Sequence, residues 1–294
     1  MKSLKSVAVA FVFTLLIALL CSVAVAGWSS FGFGGGGKLG FNLPNVPLTA
    51  KEEADLYEGK AITRLLPSQN SGYKAGYLRF FAPFDPVTTY MIVTDSDHFD
   101  LVDPSFPNNG SITSKRRTFM PYTFESITCN EGGKNRMYQL LVMPIVAPRQ
   151  MCIDRIHRTN AFPWESRWKL ADVKNCCASK QQEKNAEYRE KAVSLETNNG
   201  GWSIGPLPAK FRKTEADQMR TDVIYYVDTN PGGDIGQLKG IVNKATSTAL
   251  PNLQKNVLFH GKNWEQHLQK YHGATAVSQY KTWIADYKAA MAAK

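Results

Sequence analysis

A change in hydrophobic period at Asn230-Pro231-Gly232-Gly233 constrains the fold more than any other feature of the sequence. Before this segment, apolar residues alternate with polar ones, most clearly at positions 164–173, which is typical of half-buried antiparallel strands. After it, they recur every three or four positions, as in an amphipathic helix: Ile235, Leu238, Ile241, Val242, Ala245, Ala249, Leu253 and Val257. We expect Pro251 to kink this long helix.

The strands and short helices before that change predict an α+β fold. We expect a helix over 49–66, a strand over 73–81, a helix opened by Asp85-Pro86 and a further turn at 98–102. Six more strands are predicted over 118–128, 136–146, 150–157, 164–173, 194–207 and 220–228. A curved antiparallel sheet of this kind cannot fill its own concave face, so the long C-terminal helix must lie across it. Such an arrangement often leaves a largely apolar cavity.

Two segments stand apart from this pattern. Residues 175–193 are polar and lack Gly and Pro, which predicts an exposed helix or ordered loop inserted between strands. Residues 277–291 predict a last helix with an apolar face formed by Tyr280, Trp283, Ile284 and Tyr287. His267 and His272 lie in the polar part of this tail, where we expect them to be exposed.

The amino terminus has the pattern of a secretory signal peptide over residues 1–26. A lysine-containing start is followed by an uncharged apolar run and the ending Ala24-Val25-Ala26. The alternative is an uncleaved membrane anchor over 7–26, because about 20 apolar residues can just span a bilayer. We therefore predict a secreted or periplasmic protein with a Gly-rich linker over 27–49, a main domain over 50–262 and a helical tail over 263–294.

Four cysteines follow the predicted signal peptide, at positions 129, 152, 176 and 177. Export would place them in an oxidising compartment where disulfides form. Four cysteines allow three full pairings, and for steric reasons we expect the adjacent pair not to bond to itself. No C-x-x-C or H-x-x-x-H spacing occurs, so we predict no metal site.

The formal net charge of +10 is spread along the chain. The longest basic clusters, 115–117 and 210–213, do not form the continuous basic face with interleaved aromatics that nucleic-acid binding needs. We therefore predict no nucleic-acid partner. Transient contact with anionic lipid headgroups is the better functional explanation of the basic residues. The sequence also lacks an H-E-x-x-H motif, and we predict neither enzyme activity nor a cofactor.

Five segments resemble the START domain, a member of the helix-grip superfamily, and one of them is Pro148-Arg149-Gln150-Met151-Cys152, at the start of a strand. Asp85-Pro86-Val87 matches the helix after the first strand, and Trp202-x-Ile204-x-Pro206-Leu207 matches a late strand of the family. The run from Tyr225 to Ile235 resembles the family's junction into its last helix, and 249–253 resembles the middle of that helix. The chain departs from the family at Gln150-Met151, where an acid and an aromatic residue are usual, and in the 175–193 insert.

The resemblance implies binding of a lipid or sterol between the sheet and the long helix. Arg155 and His157 alternate with Met151 and Ile153 on one strand face and are the candidate polar anchors, unless that half of the strand faces solvent. The candidate cavity walls are Tyr138, Leu140, Val142, Trp168, Trp202, Tyr225, Leu238, Ile241 and Val242. Two alternatives are an enzyme on the same fold, such as a cyclase or hydrolase, and an interaction module with a closed core.

Overall fold

The computed structural model describes residues 43–68, 72–95, 122–142, 147–236 and 238–292. The predicted signal peptide, most of the Gly-rich linker and the predicted turn at 98–102 lie outside these ranges. Among the described helices, none combines the length and the hydropathy needed to cross a membrane.

The described strands form one curved, open sheet of nine strands. Its order is β1-β2-β9-β8-β6-β5-β4-β3, all antiparallel, and the two-residue β7 pairs in parallel with β5. This arrangement confirms the predicted α+β class. The strands are β1 Ile62–Pro67, β2 Lys74–Ala82, β3 Tyr122–Glu131, β4 Lys134–Val142, β5 Arg149–Arg158, β6 Trp164–Ala171, β7 Val193–Ser194, β8 Thr197–Pro206 and β9 Thr221–Asn230.

The described helices lie before β1, between β2 and β3, in the insert and after β9. They are α1 Ala50–Tyr57, α2 Pro86–Thr94, α3 Ala186–Glu190, α4 Gly233–Gly236, α5 Lys239–Lys262, α6 Trp264–Tyr271 and α7 Gly273–Ala292. Short 3₁₀ turns occur at Ala178–Lys180, Glu183–Asn185, Ala209–Phe211 and Glu215–Met219. Helices α6 and α7 both lie in the predicted helical tail over 263–294, and α7 contains the predicted 277–291 segment.

The first helix begins as predicted but ends early. Thr49 caps α1, and its side chain and the Glu52 carboxylate satisfy each other's backbone N–H groups in a capping box. Gly59 then takes a left-handed conformation with φ of +86°, which a helix cannot continue through. The prediction of helix as far as Leu66 is therefore wrong, because residues 62–67 instead pair with β2 as an edge strand.

Two helices, rather than one, cover the inner face of the sheet. All nine residues of α2 are buried, and this helix packs against β8, β9 and α5. Helix α5 packs on β1 and β2 through Leu250, Leu253 and other residues of the main core. The long helix thus lies on the sheet as expected, at β1 and β2, while α2 covers the central part of the inner face at β8 and β9.

The two faces of β4 bury different clusters. Met137 and Leu141 belong to the main core on the inner face. Tyr138 and Leu140 point the opposite way, where they pack against the four cysteines in a second cluster. The prediction that Tyr138 and Leu140 face the long helix is wrong, because β4 is apolar on both faces and alternation alone does not say which face is inner.

Two disulfides fasten the insert to this outer face. Cys129 bonds to Cys177 and Cys152 bonds to Cys176, so the adjacent cysteines are not bonded to each other, as predicted. Glu125 on β3 is buried and accepts hydrogen bonds from the Gln182 N–H and from the Arg189 guanidinium. The insert is therefore an ordered covering over β3, β4 and β5.

A buried arginine holds the turn that leads into the C-terminal helices. Arg149 donates hydrogen bonds to the carbonyl oxygens of Ala147 and Pro231, at 2.7 and 3.0 Å. Gly232 and Gly233 have φ values of +68° and +56°, which other residues adopt only with strain. The Pro-Gly-Gly turn identified in the sequence is thus positioned by the first residue of β5.

The C-terminal helices share the main core. Trp264, Leu268 and Tyr287 are buried in the same cluster as the sheet and α2, and the Tyr280 hydroxyl lies 2.9 Å from that of Thr88 on α2. The side chains of His267 and His272 are only about a tenth exposed, which corrects the expectation that both are exposed. Residues 263–292 therefore pack as an integral part of the described structure.

Candidate functional site

Three polar side chains meet at one end of the inner face. Arg155 and His157 lie on β5, on the same face as Met151 and Ile153 of the main core. Arg155 is only 4% exposed, and His157 Nδ1 lies 2.9 Å from the hydroxyl of Tyr90 on α2. The alternative that this half of the strand faces solvent is therefore wrong, and we define the polar cluster as Tyr90, Arg155 and His157.

Aromatic rings border the polar cluster on its solvent side. Tyr90 contacts Trp164 edge-on, with ring centroids 5.3 Å apart, and Phe162 stacks on Trp164 at 4.7 Å. Tyr287 of α7 contacts Phe162 at 5.7 Å. His157, Phe162 and Trp164 are only half-buried. The described residues thus give the cluster an apolar border that solvent partly reaches.

Burial keeps the polar cluster in a defined protonation state. Loss of solvent lowers the pKa of His157 to about 3, and the positive charge of Arg155 lowers it further. Burial raises the pKa of Tyr90, which Arg155 partly opposes. Both rings are therefore neutral near pH 7. With its proton on Nε2, His157 can accept the Tyr90 hydrogen bond through Nδ1.

The depressed pKa of His157 makes a prediction about acid stability. The unfolded chain binds a proton at His157 near pH 6.5, whereas the folded chain does not until about pH 3. The stabilising contribution is complete above pH 6.5 and is lost as the pH falls towards 3, by at most about 1.4 kcal/mol per pH unit. We expect His157→Gln to flatten the urea-unfolding profile between pH 6.5 and 5 relative to wild type. Superimposable profiles would contradict this prediction.

Several predicted wall residues form the packed floor beside the cluster. Trp168, Trp202 and Tyr225 are at most 1% exposed; ring centroids of Trp202 and Tyr225 are 4.4 Å apart. Trp168 also donates a hydrogen bond from Nε1 to Asn198 Oδ1 at 3.2 Å. Val242 is buried in the same core. The structure brings these four residues together, and their contact with a ligand stays a prediction.

Of the remaining predicted wall residues, one lies outside the core and two have side chains that the structure does not describe. Leu238 is 45% exposed at the start of α5, so its assignment to a wall is wrong, because the helix begins after it and its side chain stays outside the core. The side chains of Val142 and Ile241 lie outside the described part of the structure. Tyr90 was missed by the sequence reasoning, although the Asp85-Pro86 helix start gave a signal for the element that carries it.

Comparisons with known proteins give structural likenesses without sequence matches. No family model matches the chain, and a search of curated proteins returned no match. Human STARD10 aligns over 77% of this chain and 84% of its own, with 13% identity and a TM-score of 0.47. A STAR-related lipid transfer protein fragment from Xanthomonas axonopodis aligns over 67% and 92%, with 13% identity and a TM-score of 0.41. Human StAR-related lipid transfer protein 5 aligns over 69% and 84%, with 15% identity and a TM-score of 0.40. The chain is similar in structure to these three proteins.

Proposed function

We propose that this protein binds a lipid or another hydrophobic ligand between the inner face of the sheet and its covering helices. The observation that carries the proposal is the polar cluster, a buried arginine beside a neutral Tyr–His pair at the half-open edge of an apolar core. A ligand with one polar end and a long apolar body matches that combination.

The polar end of the ligand is assigned to Arg155. A guanidinium offers up to five N–H donors and favours carboxylate, phosphate or carbonyl oxygens. Hydrogen bonds that involve a charged group contribute about 1.5–3 kcal/mol, more than those between neutral groups. Tyr90 and His157 supply neutral polar atoms beside it. The cluster therefore favours a headgroup rich in acceptor oxygens.

The apolar body of the ligand is assigned to the aromatic border. Phe162 and Trp164 stack on each other while remaining half-buried. Covering apolar surface of this kind contributes about 25 cal/mol per Å². Trp168, Trp202 and Tyr225 already pack tightly against one another, so they support the site from below rather than yielding space to the ligand.

Proton-transfer chemistry fits the same cluster less well. A general acid or base works best when its pKa lies near the working pH. The pKa of His157 is about 3 and that of Tyr90 is raised, so burial moves both groups away from neutral pH. The cluster thus suits hydrogen bonding to a ligand better than catalysis, and a carrier or sensor is preferred to a cyclase or hydrolase.

The proposal includes export to an oxidising compartment. Its support is the signal-peptide pattern of residues 1–26 together with two disulfides in the folded chain, because such bonds persist mainly outside the cytosol. A carrier in that compartment would collect and deliver its ligand at a membrane surface.

The test is ligand binding by wild type and two charge variants. The protein is expressed with its signal segment in an exporting host, delipidated, and offered a fatty acid, an anionic phospholipid and a sterol separately. Native mass spectrometry and fluorescence titration report binding. Arg155→Met removes the buried charge at nearly constant length, and Lys169→Met removes a charge from an exposed position on the outer face of β6.

We expect Arg155→Met to weaken binding of the acidic ligands by about 10- to 100-fold, the loss of one or two charge-assisted hydrogen bonds. Lys169→Met should bind as wild type does. Near-UV circular dichroism establishes that both variants are folded. Equal affinities in a folded Arg155→Met protein would refute the headgroup assignment, and absence of uptake by wild type would favour an interaction module with a closed core.

A further inference from the structure

A second polar cluster lies at the junction of α2, α6 and α7. Asp95 ends α2 and is 1% exposed. One of its carboxylate oxygens, Oδ2, lies 2.7 Å from His267 Nε2 and 3.1 Å from His272 Nε2. These three atoms all lie within 4.8 Å of one another. Two imidazole nitrogens from one segment and a carboxylate from another thus meet at one point.

A break between two helices brings the histidines together. His267 and His272 are five residues apart, a spacing that would place them on different faces of a continuous helix. Helix α6 ends at Tyr271, and Gly273 follows with φ of +82°, a conformation that glycine adopts without strain. The sequence shows no regular ligand spacing for this reason, because the site depends on a helix break and on a distant aspartate.

We propose that Asp95, His267 and His272 form a site for a divalent transition metal of the Zn²⁺ class, with water as the fourth ligand. Imidazole nitrogens and a carboxylate are ligands that Zn²⁺ commonly takes. With Zn–N and Zn–O bonds of about 2.0–2.2 Å, tetrahedral ligand atoms stand about 3.4 Å apart. The observed separations of 2.7 and 3.1 Å would need to open by about 0.7 and 0.3 Å to admit the ion.

The surroundings hold the ligands in place. Trp264 stacks on the His267 ring with centroids 4.8 Å apart, and Tyr271 packs on the same ring at 4.8 Å. Both imidazole side chains are about a tenth exposed. The site is thus nearly dry yet close enough to the surface for an ion to enter.

The bound metal would fasten the C-terminal helices to α2. Asp95 is the C-cap of the helix that carries Tyr90, whereas His267 lies within α6 and His272 is the C-cap of α6, directly before α7. An ion that binds only the folded state stabilises it by RT ln(1 + [ion]/Kd), so the stability rises with the logarithm of the ion concentration once the site is saturated. The ion therefore acts as a clamp over one edge of the inner face, independently of any lipid.

The experiment is metal binding to the full-length, tag-free protein after chelation. Co²⁺ alone is titrated by visible absorption, and Zn²⁺ alone by equilibrium dialysis with metal analysis and by thermal unfolding. His272→Gln and Asp95→Asn each remove one ligand. Glu265→Gln is the matched control, because it removes an exposed carboxylate on α6 that pairs with Lys281.

We expect one ion per chain, the intense visible bands of four-coordinate Co²⁺, and a rise in the unfolding temperature with Zn²⁺. His272→Gln and Asp95→Asn should each lower the affinity by at least about 10- to 100-fold, while Glu265→Gln leaves it unchanged. If Asp95→Asn fails to fold, His272→Gln, whose side chain lies at the end of α6, decides the question.

Two results would overturn the proposal. One is a wild-type protein that takes up no stoichiometric metal, which would leave the cluster as a hydrogen-bonded Asp–His contact. The other is a folded His272→Gln protein that binds metal as tightly as wild type, which would place the ion elsewhere. Neither readout uses a lipid, so the result is independent of the proposed function.

Discussion

Replacing Cys129 and Cys177 together with alanine is expected to lower the free energy of unfolding by about 3–4 kcal/mol. The bond closes a loop between residues 48 positions apart, and the second disulfide lies within that loop. Without the bond the unfolded chain gains conformational entropy, which lowers the free energy of unfolding. That loss is a large fraction of the roughly 5–15 kcal/mol that stabilises an ordinary domain. Urea unfolding followed by tryptophan fluorescence measures it.

The matched comparison is the double alanine variant of Cys152 and Cys176, which are 24 positions apart. We expect it to lose a similar amount, because both bonds fasten the insert to the outer face of β3–β5. Dithiothreitol should lower the stability of wild type by more than that of either variant. A loss below about 1 kcal/mol for both pairs would mean that the Glu125 contacts alone hold the insert in place.

Gly200→Ala is expected to destabilise the protein by about 3 kcal/mol or more. A Cβ atom at this position would lie 2.6 Å from the Tyr226 carbonyl oxygen and 2.7 Å from Trp168 Cε2. The first of these atoms belongs to the paired backbone of β9, and Trp168 is held by its hydrogen bond to Asn198. Neither can move freely, so the overpacking cost falls at or above the usual 1–3 kcal/mol.

Gly240→Ala is the control for this substitution. Gly240 lies in α5 with no atom within 4 Å of its Cβ position, so alanine there should be neutral or stabilise the protein by up to about 1 kcal/mol. Thermal and urea unfolding of the two variants should therefore shift in opposite directions or differ by several kcal/mol. A Gly200→Ala protein as stable as wild type would mean that Trp168 is not packed against this strand as described.

Local signals in the sequence predicted much of the fold correctly. The start of the first helix at residue 49, the Asp85-Pro86 helix start, the alternation along β5 and β6 and the Pro-Gly-Gly turn each depend on neighbouring residues in the chain. For the same reason the sequence placed Arg155 and His157 on one face with Met151 and Ile153. Two of the three residues of the polar cluster were thus identified without a structure.

Other features depend on which distant segments meet. Tyr138 and Leu140 alternate correctly but face the disulfides, because a strand that is apolar on both sides carries no mark of its inner face. Which cysteines pair, and that Tyr90 meets His157, follow only from how the insert and α2 pack on the sheet.

The Asp95–His267–His272 cluster shows the difference most clearly. His267 and His272 lie 172 and 177 positions after Asp95 in the chain. A break between two helices, which Gly273 permits, brings the two histidines together. Periodicity describes which side chains share a face of one element, whereas a site shared by several elements is set by the packing between them. Neighbouring residues in the sequence therefore determined the strands, caps and turns. The polar cluster and the Asp95–His267–His272 cluster depend on tertiary contacts.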